Sequence, residues 1–199
     1  MKVLVIGASG TIGKAVAAEL GQRHEVLSAG RSSGDHRVDL TDPASITALY
    51  AATGPLDAIV CAAGNVTFKE LGDMTAVDFE VGLKDKLMGQ VQLVLSGREH
   101  LNPGGSFTLT GGVLDSDPIV SGSSASMVNG ALNAFAMAAA IELDRGQRIN
   151  VISPSVITEA MPAYAPYFRG FEPVPAARAA LAYAKSVEGK LTGQVLRVL

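Results

Sequence analysis

The chain has one cysteine, no tryptophan and little charge. A lone Cys61 excludes an intramolecular disulfide and fits a reducing, cytoplasmic setting. Charged residues make up 18% of the sequence, the formal net charge is −3, and no Lys/Arg run occurs. No nucleic-acid or membrane partner is therefore expected. The three histidines, His24, His36 and His100, lack ligand spacing; they read as surface residues, and no metal is expected. Only Lys2 precedes the first short apolar strand, which is too short for a signal-peptide core. No apolar run is expected to span a membrane. No linker, repeat or low-complexity segment divides the chain, so residues 1–199 are expected to form one domain.

What is present is alternation. Short Val/Ile/Leu runs predict strands at 2–6, 25–29, 36–38, 58–62, 106–110, 150–152 and 195–198. Between them, helices are expected at 11–22, 43–52, 76–96, 123–144 and 174–187. Pro43 and Pro175 suit first helical turns, with Asp42 as a cap. Near-continuous apolar strands separated by helices predict an α/β fold: a single doubly wound parallel sheet of Rossmann type with helices on both faces.

The first strand runs into Gly7-Ala8-Ser9-Gly10-Thr11-Ile12-Gly13 and then a helix. Strand, glycine turn and helix N-terminus form an anion cradle. Gly7 permits the turn, Gly10 admits a pyrophosphate, and Gly13 lets the helix sit close to the sheet. Ser9, Thr11 and Ile12 complete the expected dinucleotide contact. After the second strand stand Arg31, Ser32 and Ser33 with no carboxylate among them, donors suited to a ribose 2′-phosphate. That favours NADP(H) over NAD(H), against the alternative of an exposed loop arginine. Asp39 and Leu40 are placed to accept from, and to cover, an adenine; the same segment also reads as a helix-entry loop carrying Asp42 as cap, and both can hold at once. Ala62, Ala63 and Gly64 let a ribose lie against backbone, and Cys61 reads as a buried small residue.

Taken in order, Gly7-x-x-Gly10-x-x-Gly13, Asp39-Leu40, Ala62-Ala63-Gly64, Arg148 to Pro154 and Leu191-Thr192-Gly193-Gln194 resemble the short-chain dehydrogenase/reductase family over nearly the whole chain. The resemblance implies hydride transfer between NAD(P) and a carbonyl or alcohol, a cofactor contact at Pro154, and dimers or tetramers. It also implies a catalytic Tyr-x-x-x-Lys pair, a Ser and an Asn. Here Ala125 and Asn129 fall at the Tyr and Lys positions, Thr110 is the hydroxyl nearest the Ser position, and Lys86 falls at the Asn position.

The exchange looks reciprocal. Lys86 is expected to supply the ammonium near the nicotinamide ribose, with Asn129 as its partner, against the alternative of a solvated lysine in Lys84-Asp85-Lys86. Thr110 and Ser126 are the candidate hydroxyls. Ser123, Ser124, Ala125, Ser126, Gly130 and Ala131 make a thin helix surface that could admit a helix from a second subunit. The loop from Ser155 to Glu172 carries Met161, Tyr164, Tyr167, Phe168 and Phe171, an apolar wall for the substrate or a subunit contact.

Two functions remain open: an NADP(H)-dependent oxidoreductase with a rearranged site, acting on a small, apolar or quinone-like molecule, or a non-catalytic NADP(H)-binding redox sensor. Methyl transfer is disfavoured by Arg31 and by Thr192-Gly193-Gln194.

Overall fold

The structure, a computed structural model, describes residues 1–199. Its strands are β1 (Lys2–Ile6), β2 (Glu25–Gly30), β3 (His36–Arg37), β4 (Leu56–Cys61), β5 (Leu101–Thr110), β6 (Arg148–Pro154) and β7 (Gln194–Val198). They form one parallel sheet in the order β3-β2-β1-β4-β5-β6-β7. The order reverses between β1 and β4. Connections leave these two neighbours in opposite directions, so a crevice opens above their carboxyl ends.

The helices are α1 (Thr11–Leu20), α2 (Pro43–Thr53), α3 (Ala76–Gly82), α4 (Gly89–Gly97), α5 (Ser123–Glu142), α6 (Met161–Tyr164) and α7 (Ala176–Glu188). Strand alternation assigns them to two layers. Leu4, Ile6, Ile59, Phe107 and Leu109 pack with Ile46, Leu93, Val128 and Leu132 beneath α2, α4 and α5. The intervening Val3, Val5, Ala58 and Val60 pack with Val16, Leu20, Tyr183 and Val187 of α1 and α7. Each fully buried aliphatic side chain contributes about 1.5–3 kcal/mol of transfer free energy.

Several expectations need correction. The helix expected over 76–96 is broken by a π-helical segment, Leu83–Met88, between α3 and α4. Pro175 caps α7 from outside its first turn, since its ψ of 139° is extended. Asp42 does cap α2, its carboxylate accepting from the Ala44 N–H at 2.9 Å. Val38 lies beyond β3. A 3-10 turn, Thr158–Ala160, and α6 occupy the loop after β6. Contrary to the reading of the apolar runs, α5 is long and apolar enough by length and composition to cross a membrane. Its Val128, Leu132 and Ala136 are buried against the sheet. Of the histidines, His24 is bonded to Glu188 at 3.0 Å and His100 stacks on Tyr50 at 5.2 Å.

The thin surface of α5 is partly filled by this same chain. Gly82 of α3 sits over it: a Cβ there would lie 3.1 Å from Ser124 Oγ and from Val128 Cγ2. Around Gly130 the surface is open.

Candidate functional site

The glycine turn is built by close approach. Gly7 has φ +83°, and a Cβ on it would lie 2.7 Å from the Ala62 carbonyl oxygen. A Cβ on Gly13 would lie 2.0 Å from the Gly7 oxygen, so α1 can rest on the turn only with glycine there. Gly10 caps α1 with no side-chain bond, and no acidic residue enters the first turn. The free N–H groups at this helix end are thus open to an anion.

A cavity of about 370 Å³ lies against the turn, lined by Gly7, Ser9, Gly10, Arg31, Ser32, Leu40, Ala62, Ala63 and Gly64 among others. Of the residues assigned to the cofactor, Thr11, Gly13 and Asp39 line neither this cavity nor the one beside it: Thr11 faces solvent, and Gly13 is packed beneath the turn. Asp39 is engaged locally. Its Oδ1 accepts from the Thr41 hydroxyl at 2.7 Å, the Thr41 N–H at 2.9 Å and Arg31 at 3.3 Å. These bonds, the Thr41 hydroxyl first, hold its carboxyl below the ordinary range. Arg31 also lies 3.7 Å from Asp85, which accepts from Asn65 Nδ2 at 2.6 Å. With 59% of its side chain exposed, Arg31 is held only by weak surface pairs that a phosphate can displace.

A second cavity, about 320 Å³, adjoins the first at Gly64 and Asn65 and includes Ile12, Lys86, Ala125, Asn129 and Pro154 in its lining. Lys86 Nζ donates to Asn129 Oδ1 at 2.7 Å and to the Gly111 carbonyl at 2.9 Å. Asn129 Nδ2 donates in turn to the Gly112 carbonyl at 3.2 Å. Sequence positions 43 apart are thereby joined. The π-helical segment carries Asp85 and Lys86 inward while Lys84 stays outside, paired with Glu80 at 2.5 Å. Such segments recur at functional sites because they re-aim side chains within a helix. Gly64 completes the fit: a Cβ there would lie 2.8 Å from Lys86 Cα, Cβ and Cγ. Loss of hydration pulls the Lys86 ammonium down to about 8.

Neither candidate hydroxyl joins this pair. Thr110 follows the parity of Thr108 and points to the α7 face, where its Oγ1 donates to the Cys61 carbonyl at 2.5 Å and meets Tyr183 Oη at 2.6 Å. Ser126 Oγ is buried without a partner, and Ser126 does not line the cavity. Cys61 is fully buried, and burial pushes its thiol up to about 12. It is not a nucleophile.

Gln90 was missed. Fully buried one turn after Lys86, it accepts from the Thr110 N–H at 2.9 Å and donates to the Thr110 carbonyl at 3.0 Å. It pins the end of β5 immediately before Gly111, the lysine's acceptor. A glutamine on the inward side of a core helix is the one signal the sequence offered.

The outer wall of the second cavity is apolar. Phe68, Tyr164 and Phe168 line it, with edge-to-face contacts at 6.0 Å and 6.2 Å. Phe171 meets Phe168 edge-to-face at 5.2 Å, whereas Tyr167 is exposed.

A glycine-turn crevice thus opens beside a lysine-containing, aromatic-walled cavity. The family model for enoyl-(acyl carrier protein) reductases matches residues 7–196. The chain belongs to this family, within the short-chain dehydrogenases/reductases. It is 28% identical to the versicolorin reductase of Emericella nidulans over 188 residues, 79% of this chain and 69% of that protein. It is 51% identical to the crystal structure of the protein lin1944 from Listeria innocua, with all of each chain covered and a TM-score of 0.99. A small-chain dehydrogenase in complex with NADPH shares the fold at 24% identity and a TM-score of 0.88, with 100% of this chain and 96% of that one covered.

Proposed function

We propose that this protein, as a single domain over residues 1–199, is an NADP(H)-dependent oxidoreductase whose reaction centre is rearranged around Lys86 and Asn129. One observation carries the reading: the glycine-turn crevice and the Lys86 cavity meet at Gly64 and Asn65. A dinucleotide held along that junction has its phosphates at the α1 N-terminus and its reactive ring beside Lys86. The chain fits the group: Gly7 and Gly13 leave the backbone exposed at the turn, and α1 is uncapped. Arg31 and Ser32 are the donors for a 2′-phosphate. The NADPH complex of a protein with this fold supports the same choice of cofactor.

When bound, the nicotinamide supplies or takes a hydride. This chain's residues position it. Pro154 and Ile12 wall the cavity, Lys86 and Asn129 present fixed polar groups, and Phe68, Tyr164 and Phe168 exclude water. That wall suits an apolar or quinone-like molecule. The protein is expected in the cytoplasm, without nucleic-acid or membrane partners. Exposed Leu95, Met137 and Ile141 on α4 and α5 support a homodimer or homotetramer.

The test is NADPH titration by fluorescence, followed by NADPH oxidation against a panel of quinones, aldehydes and ketones. Binding with turnover supports the reading. The Thr110 hydroxyl, turned away from the cavity, favours a second reading as a redox sensor. Tight NADPH binding with no turnover on any acceptor would establish that reading instead.

A further inference from the structure

The geometry points to Lys86 as the proton donor to the substrate's carbonyl oxygen, acting in place of a tyrosine and not as an anchor for the cofactor ribose. This rests on the NADP(H) oxidoreductase reading. Three observations carry it. Two of the three ammonium N–H bonds of Lys86 are taken, by Asn129 Oδ1 at 2.7 Å and the Gly111 carbonyl at 2.9 Å, which leaves one for the cavity that Lys86 lines. Asn129 is locked in the accepting orientation, because its Nδ2 is committed to the Gly112 carbonyl at 3.2 Å. The positions that could hold another donor beside the ammonium do not: Ala125 lines the cavity one turn before Asn129, the Thr110 hydroxyl faces α7, and the Tyr164 phenol belongs to the outer aromatic wall.

The step balances. The carbonyl carbon gains the hydride that a bound dihydronicotinamide supplies. The carbonyl oxygen takes a proton from Lys86 Nζ, so C=O becomes CH–OH and the nicotinamide is oxidised. Lys86 is left as a neutral amine and regains a proton from water. The ammonium is suited to this cycle because burial brings it to about 8, within reach of neutral pH. The ionisable groups around it are few. Cys61 from β4 stays a neutral thiol, and Asp85 is turned to Asn65 and Arg31. Asn129 is a positioning residue that holds the ammonium in line.

Two measurements decide it. In the unaltered protein, lysine acetylation by acetic anhydride is followed against pH by peptide mass spectrometry. Lys86 is expected to label with a midpoint near pH 8; a midpoint at the ordinary lysine value overturns the proposal. This needs no variant to fold. In Lys86→Met, kcat for carbonyl reduction is expected to fall on the order of 10²–10⁴-fold, with the Kd for NADPH changed less than about threefold. A Kd weakened tenfold or more with kcat preserved at saturating NADPH makes Lys86 a ribose anchor and overturns the proposal. So does a larger loss in Tyr164→Phe, which removes the only phenol lining the cavity. NADPH binding by the unaltered protein without reduction of any carbonyl also overturns it. Failure to bind NADPH at all sinks the oxidoreductase reading itself.

Discussion

The two halves of the crevice are built from different materials. Toward β1 and β2, the wall is mostly backbone: a glycine turn, the end of α1 and the Ala62-Ala63-Gly64 segment. Toward β5, the wall is side chains from separate elements: Lys86 from the π-helical segment, Asn129 from α5, Tyr164 from α6 and Phe168 beyond it. A backbone wall depends on a few residues that must be small, and it changes little from one chemistry to another. A side-chain wall can exchange its reacting groups while the fold stays the same. Here the ammonium comes from one helix and the amide from the next.

The comparison can be broken most severely at the turn. Gly13→Val places atoms where a Cβ already meets the Gly7 oxygen at 2.0 Å. Displacing α1 from the sheet is expected to cost about 3 kcal/mol or more by urea denaturation and to abolish NADPH binding. The side-chain half has one equivalent support. Gln90→Leu strips two bonds from the Thr110 backbone and leaves buried groups unpaired, an expected loss of about 2–4 kcal/mol in the same measurement. Arg31→Ala tests the nucleotide half alone. It should weaken NADPH binding about 10–100-fold and NADH binding far less, measured by parallel titrations. Tyr183→Phe tests whether the Thr110 hydroxyl belongs to the structure and not to the reaction centre. Stability is expected to drop by about 1 kcal/mol, with the Kd for NADPH unchanged.

A further effect concerns pH. Lys86 in the folded chain titrates near 8, below its ordinary 10.5. Between those values the unfolded chain binds more protons, so this group's contribution to stability rises with pH. The unaltered protein should therefore gain about 2 kcal/mol relative to Lys86→Met from pH 7.5 to pH 10, by denaturant titration at each pH.

Legibility in the sequence followed the same division. The glycine turn, the parallel sheet implied by βα alternation and the end of β4 were readable because each depends on neighbouring residues. The inward turn of Lys86 and its pairing with Asn129 were readable from the reciprocal exchange of the two residues, against the solvated run Lys84-Asp85-Lys86; the widening of the helix that turns the lysine inward was not. Thr110 could have been read correctly. Phe107 and Leu109 mark one face of β5, so Thr108 and Thr110 must lie on the other. The local bonds of Asp39 come from Thr41, two residues on, which satisfies its Oδ1.

Sequence by itself determined the α/β class, the family and the cradle at Gly7 to Gly13, because all three follow from local spacing and residue size. Tertiary structure decided how the expected side chains meet. The pairing of Lys86 with Asn129 depends on a π-helical segment, a glycine at 64 that leaves room for the lysine, and a glutamine that pins β5. These come from distant stretches of chain, and only packing brings them within reach of one another.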